Sequence, residues 1–179
     1  MAERDHTRLW TMRALYAAIV MAIVFFQLLP VNTVPRIWAG PDLILALTLA
    51  WVLRRPDFVP LSLVALLFLL ADLLLHRPPG LWAALVLITA EFLRARYVGL
   101  RDMTFAAEWV AVGGALVVLT LTYRLILSLL VVDQAPLGLA LIQLIMTLAA
   151  YPFVVVISQT VFGVRKLAPG NLDALGGRT

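Results

Sequence analysis

Four of the polar residues within the apolar runs of this chain are the main candidates for chemistry inside them. They are Asp42, Asp72, Arg124 and Gln143. Ionisable side chains in an apolar environment are costly, and they are commonly kept for a ligand, an ion or a partner. The two carboxylates could in principle form an aspartyl catalytic pair. These residues therefore predict either a polar site or a set of structural contacts.

The rest of the sequence offers little catalytic chemistry. It contains no cysteine, which excludes disulfides, thiolate catalysis and cysteine-based metal sites. Its two histidines, His6 and His76, are predicted on opposite sides of a membrane. We find no His-Glu-x-x-His pattern, no Gly-x-Ser-x-Gly pattern and no phosphate-binding glycine loop. We expect no metal, no cofactor and no enzyme, and an intramembrane enzyme that uses Asp42 and Asp72 is the weakest alternative.

Composition places these residues in a membrane protein. Of the 179 residues, 63% are hydrophobic and only 13% are charged. A soluble domain of this length has roughly a quarter charged residues, so one protein core cannot hide the excess apolar surface. The net charge of +4 could indicate nucleic-acid binding, but the basic residues lie in short breaks between apolar runs. Cytoplasmic loops of membrane proteins show that pattern, and we expect no nucleic-acid partner.

Six apolar runs are candidates for membrane-spanning helices. A crossing needs about 20 mainly apolar residues, and the second and fourth runs are short enough that re-entrant segments are an alternative. The first run follows basic residues as a signal peptide would, but no small-x-small cleavage site follows it closely, which favours a retained helix. The runs are 12–29, 41–53, 57–75, 80–93, 105–131 and 137–162.

Basic residues favour six crossings with both termini in the cytoplasm. In that arrangement only Arg36 and Arg77 lie outside and Arg124 lies within a span. Removing the second or fourth crossing would export several arginines, against the tendency of Lys and Arg to stay inside. The sequence therefore predicts an all-α protein with one six-helix domain over 1–165 and a short flexible tail over 166–179. The eleven basic residues predicted inside are Arg4, Arg8, Arg13, Arg54, Arg55, Arg94, Arg96, Arg101, Arg165, Lys166 and Arg178.

This topology would bring the four polar residues to a similar depth near the outer face. Aspartates and an arginine at one level could neutralise one another, so we expect an ion pair between Asp72 and Arg124. A ligand or partner site is a second interpretation. In the third, Arg124 extends to the interface and the aspartates cap helices or face the headgroups.

Several other residues carry expectations about packing. Glu91 and Glu108 are expected to pair with arginines at the inner interface, and the five tryptophans are expected at headgroup depth. Gly113 and Gly114 predict close helix contact, and Pro152 predicts a kink in the sixth helix.

Short motifs also resemble a known family. Pro41 and Asp42 open an apolar helix that ends in the Trp-Val-Leu-Arg-Arg-Pro stretch 51–56, and this resembles the rod shape-determining protein MreD. The segments 71–75 and 79–81, which contain Asp72 and Gly80, and the ending with Tyr151, Pro152 and the basic pair at 165–166 are similar to that family. The proline-rich turn 77–79 and the length of the tail depart from it.

The resemblance implies a non-enzymatic, multi-pass subunit of the bacterial inner membrane that helps to control cell shape. Such proteins act with the bitopic protein MreC, with MreB filaments, and with a RodA-type glycosyltransferase and its transpeptidase during peptidoglycan synthesis. The implied fold is an arrangement like the S-components of energy-coupling-factor transporters. On this basis Pro41, Asp42, Asp72, Gly80, Arg124, Gln143 and Pro152 are the candidate structural or partner-contact residues.

A second function remains open at this level. The outward depth of the polar residues is also what a subunit for uptake of a small, vitamin-like molecule would need. Such a subunit would require a cavity lined by Asp42, Asp72, Arg124 and Gln143.

Overall fold

The computed structural model describes residues 2–29, 39–96 and 104–164. Within these ranges the chain is all-helical and has no strand. Each of the six predicted apolar runs forms a helix, whereas the predicted tail 166–179 lies outside the described residues. The helices are α1 (Ala2–Leu28), α2 (Leu43–Arg54), α3 (Leu61–Leu74), α4 (Leu81–Ala95), α5 (Phe105–Leu129) and α6 (Leu137–Thr160), with a short 3-10 helix at Pro56–Phe58.

Helix lengths divide the molecule into long and short members. The part of α1 from His6 to Leu28, together with α5 and α6, is long and apolar enough to cross a membrane. Helix α2 has 12 residues and α3 has 14, and both are apolar. At 1.5 Å per residue α2 is about 18 Å long, which is less than the roughly 30 Å of a bilayer core.

The short helix α2 forms the centre of the bundle. Every residue from Ile44 to Arg54 is buried, and α2 packs against α1, α4 and α6. Helix α3 packs against α1 and α4, and α5 packs between α4 and α6. Because other helices surround α2, its length does not have to equal the thickness of the bilayer core. The backbone groups at its ends can form hydrogen bonds to protein.

The outer faces of the surrounding helices are apolar. On α5 an exposed row runs through Val110, Val118, Leu121 and Leu125, each more than 60% exposed. Helix α6 exposes Ile145 and other apolar residues in the same way. Soluble monomers rarely expose contiguous apolar surface of this extent. Together with the three long helices, these faces indicate a membrane-embedded protein.

Side-chain contacts define the two ends of the bundle. At one end Arg13 of α1 donates to the carbonyl of Asp57, and Arg94 of α4 donates to the carbonyl of Val59. At the other end the carboxylate of Asp72 in α3 accepts from the backbone of Ala83 in α4. Successive helices therefore run in opposite directions, and α1 begins at the end where α6 finishes.

Candidate functional site: buried polar contacts between helices

A charged network joins three helices at the end of the bundle that carries Arg13 and Arg94. The guanidinium of Arg54 on α2 lies 2.5 Å from a carboxylate oxygen of Glu108 on α5. The hydroxyl of Tyr151 on α6 donates to the same carboxylate oxygen at 2.7 Å. All three side chains are buried. The network therefore holds α2, α5 and α6 together through charge-assisted contacts inside an apolar core.

The positions of Arg54 and Glu108 suit the helix dipoles. Arg54 is the last residue of α2, where the partial charge of the helix is negative. Glu108 lies in the first turn of α5, where the partial charge is positive. Glu108 does pair with an arginine near this end of the bundle, as expected, but the pair with Arg54 is buried, since the Glu108 side chain is only 1% exposed.

A second set of buried contacts surrounds Trp51 near the same end of α2. Its indole N–H donates to the hydroxyl of Ser158 on α6 at 3.0 Å, and the ring packs against Tyr16 and Phe162. The hydroxyls of Tyr16 and Thr48 share a hydrogen bond of 2.8 Å between α1 and α2. Trp51 is fully buried, so other helices and not lipid headgroups surround its ring, while its depth in a membrane stays a prediction.

Pro152 is accommodated by a tryptophan from the neighbouring helix. Proline has no N–H, so the carbonyl of Leu148, four residues earlier in α6, lacks its usual helical donor. The indole N–H of Trp109 on α5 donates to that carbonyl at 3.0 Å. At Gly113, one turn further along α5, the two helices pack closely. A Cβ added to Gly113 would lie 3.3 Å from the Leu148 side chain, which is tighter than an ordinary van der Waals contact. Gly114 faces open space, so the predicted close contact applies to Gly113 alone.

At the opposite end of the bundle Asp42 joins α2 to α6. Its carboxylate accepts from the backbone of Leu45 at 3.0 Å and caps α2. Its backbone N–H donates to the hydroxyl of Thr147 at 2.9 Å. That hydroxyl in turn donates to the carbonyl of Gln143, so Gln143 takes part through its main chain. Pro41 immediately precedes the cap, and its carbonyl accepts from Leu43.

Asp72 joins α3 to α4 by capping the next helix in the chain. One carboxylate oxygen accepts from the backbone of Gly80 at 3.2 Å and of Ala83 at 3.1 Å. Gly80 adopts φ +83°, a conformation that side chains strongly disfavour, so glycine is required at this cap. The guanidinium of Arg77 lies over the ring of Trp82, and one of its nitrogens lies 3.9 Å from a carboxylate oxygen of Asp42. Arg77 therefore connects the start of α4, which Asp72 caps, with the start of α2, which Asp42 caps.

Arg124 has a different environment. Its guanidinium donates to the carbonyl of Ala135, and its own carbonyl accepts from the side chain of Gln134. These bonds close the connection between α5 and α6. The prediction of an ion pair between Asp72 and Arg124 is wrong. The Asp72 carboxylate accepts from backbone N–H groups at the start of α4, and the Arg124 guanidinium donates to the carbonyl of Ala135. The four polar residues thus serve three separate contacts between helix ends.

Glu91 also departs from its expectation. It is exposed on α4 and forms no ion pair within the residues that the structure describes. Arg94 donates to the carbonyls of Pro56 and Val59, and Arg96 lies over the ring of Phe92. Arg101 lies outside the described residues.

Sequence reasoning missed two sets of buried contacts, one among Arg54, Glu108 and Tyr151 and one between Trp51 and Ser158. A carboxylate inside the apolar run 105–131 was a usable signal for a buried partner. Neither helical periodicity nor charge counting indicates which helix supplies that partner, because Arg54 is 54 residues away in the chain.

Comparisons with protein-family models, with curated proteins and with solved structures gave no match. The functional interpretation therefore depends on the residues themselves and on their contacts.

Proposed function

We propose that this chain is a non-enzymatic subunit of the bacterial inner membrane that crosses it six times and binds other membrane proteins. The observation that supports a scaffold best is how the buried polar groups are used. Arg54, Glu108, Asp42 and the capping oxygen of Asp72 contact other parts of the same bundle. Such contacts fix the relative positions of the helices and leave their outer faces available to partners.

The proposed orientation follows from the distribution of arginine over the two ends. Arg13, Arg54, Arg55, Arg94 and Arg96 lie near one end, which the positive-inside tendency assigns to the cytoplasm. Arg77 and Arg124 lie toward the other. In this proposal the short helices α2, α3 and α4 complete the count of six, and α2 is buried among other helices along its length.

The resemblance to the MreD family gives the scaffold a specific role. We infer that the partners are an MreC-like bitopic protein and, through it, the RodA-type glycosyltransferase with its transpeptidase and the MreB filaments. The subunit would then contribute to peptidoglycan synthesis along the side wall and to rod shape.

Controlled depletion combined with affinity purification tests this role. Cells of the source bacterium that lose the chain should become round, and the tagged chain should co-purify with the MreC-like protein from mild detergent. Re-expression of the wild-type chain is the control for restored shape. Unchanged rods after depletion, together with no co-purification, would exclude the proposed role.

One observation favours uptake of a small molecule as a second candidate. The second carboxylate oxygen of Asp72 and the indole nitrogen of Trp82 are buried, and neither has a hydrogen-bond partner in the described part of the chain. Both lie at the start of α4, on the proposed outer side. Native mass spectrometry of the purified protein should reveal a bound metabolite if this candidate is correct, and an Asp72→Asn variant should lose it.

A further inference from the structure

Helix α4 presents two opposite faces of different character. Ala83, Val86, Ala90 and Leu93 are buried against the centre of the bundle. The opposite stripe consists of Ala84, Ile88, Glu91, Phe92 and Ala95, which are all exposed. Ile88 and Phe92 are more than half exposed, so this stripe faces lipid or a partner. We call these five residues the α4 stripe.

Glu91 is the one charged member of the α4 stripe. It lies four residues before the end of α4, which is about 6 Å or one turn inside the helix end. A carboxylate on a lipid-facing surface is costly unless a cation or hydrogen-bond donor meets it. The residue is therefore unfavourable for contact with lipid tails alone.

The nearest arginines on α4 are committed to other contacts. Arg94 donates to the carbonyl of Val59 at 2.6 Å and to that of Pro56 at 3.2 Å, so it points toward the turn after α2. The guanidinium of Arg96 lies 4.3 Å from the centre of the Phe92 ring. Across the ranges 2–29, 39–96 and 104–164, Glu91 has no ion-pair partner.

We propose that the α4 stripe is the docking surface for a transmembrane helix of the partner protein, which places a Lys or Arg side chain against Glu91. The charge of Glu91 specifies a basic residue near the cytoplasmic end of that helix. Small side chains at Ala84 and Ala95 let a second helix approach closely at both ends of the stripe. Ile88 and Phe92 supply apolar contacts between them. This inference rests on the proposed function, since it assigns the scaffold a partner surface.

Site-specific photo-cross-linking locates the surface directly. A photoreactive amino acid is placed at Ile88, and at Phe153 on α6 as a matched control, because both side chains are exposed and apolar. The probe is the tagged MreC-like protein of the same bacterium. We expect a cross-link from position 88 and none from position 153. A cross-link from 153 alone, or cross-links to lipid alone, would overturn the assignment.

Charge variants test the role of Glu91 itself. Glu91→Gln should lower the amount of co-purified partner about threefold, the equivalent of one average polar contact in a membrane. Glu91→Lys should lower it more than about tenfold through repulsion. Asp57→Lys is the matched control, because Asp57 is also exposed near the same end, and it should leave the amount unchanged.

Charge exchange separates a direct contact from a folding defect. Each basic residue near the cytoplasmic end of the partner's helix is changed to Glu in the presence of the Glu91→Lys variant. One exchange should restore co-purification, and no restoration by any of them would refute the ion pair. If the wild-type chain does not bind the MreC-like protein at all, the proposed function fails. If it binds but Glu91 has no effect, only the α4 stripe is excluded.

Discussion

At the scale of single residues, the most consequential contact is the one between Arg54 and Glu108. Two opposite charges are buried together at the meeting point of α2, α5 and α6, and Tyr151 donates to the same carboxylate. Removing one member of a buried ion pair costs more folding stability than the intact pair contributes, because the charge that remains is buried without its counter-ion. We therefore expect these three helices to assemble stably only when both charges are present.

Substitution of Arg54 by Leu should destabilise the protein by about 3 to 5 kcal/mol, because it removes the cation beside a buried carboxylate. Tyr151→Phe removes a single hydrogen bond and should cost only about 0.6 kcal/mol. Denaturant unfolding in detergent micelles measures both. An Arg54→Leu protein as stable as Tyr151→Phe would contradict a buried ion pair.

Trp109 and Pro152 provide a second residue-scale prediction. Trp109→Phe leaves the carbonyl of Leu148 without its donor and should cost about 0.6 kcal/mol. In a Pro152→Ala background residue 152 regains an N–H that can donate to this carbonyl, so Trp109→Phe should then cost close to nothing. A double-mutant cycle on unfolding free energy measures the difference. Equal costs in the two backgrounds would show that the indole does not substitute for the missing donor.

At the scale of secondary-structure elements, the position of each helix follows from local chemistry. Pro60 precedes α3 and a 3-10 helix occupies 56–58, so α3 starts at Leu61 and not at the predicted residue 57. Helix α1 starts ten residues before the apolar run, because helical backbone continues through polar residues that hydropathy does not score. Hydrophobicity therefore predicted where helices lie in the chain and the first residues of α5 and α6, but not where α1 and α3 begin.

Glycine positions give a prediction at this scale. Gly80 caps α4 with φ +83°, so Gly80→Ala should destabilise the protein by about 1 kcal/mol or more. Gly114 is helical and an added Cβ there meets nothing within 4 Å, so Gly114→Ala should be neutral or stabilising through helix propensity. Thermal unfolding of the two variants in the same detergent checks the contrast. Equal losses would contradict the strained cap.

The contacts between elements were harder to predict than the elements. Asp42 and Asp72 were correctly singled out as polar residues near one end of the bundle, and the interpretation that they cap helices is confirmed, but the particular N–H groups that they cap were not predicted. Each carboxylate accepts from backbone N–H groups at the start of a helix, and such donors exist at every helix start, so the sequence does not distinguish among them. The pairing of Arg54 with Glu108 depends on how α2 and α5 pack, which no local pattern encodes.

At the scale of the whole molecule, the arrangement places a short central helix inside a ring of longer ones. Helix α2 is buried along its length, whereas α5 and α6 expose apolar rows. Of the arginines that the structure describes, Arg13, Arg54, Arg55, Arg94 and Arg96 lie near one end, and Arg77 and Arg124 lie toward the other. These features indicate a membrane-embedded protein, whereas the scaffold role and the cytoplasmic position of both termini are proposals.

Cysteine accessibility tests the proposed orientation most directly, because the natural chain has no cysteine and every introduced one is a unique probe. Single cysteines at Asp57, in the turn between α2 and α3, and at Asp133, between α5 and α6, are treated with a membrane-impermeant maleimide on intact spheroplasts. We predict labelling at 133 without permeabilisation and at 57 only after it. Labelling of position 57 in intact spheroplasts would contradict the six-span arrangement with the basic end in the cytoplasm.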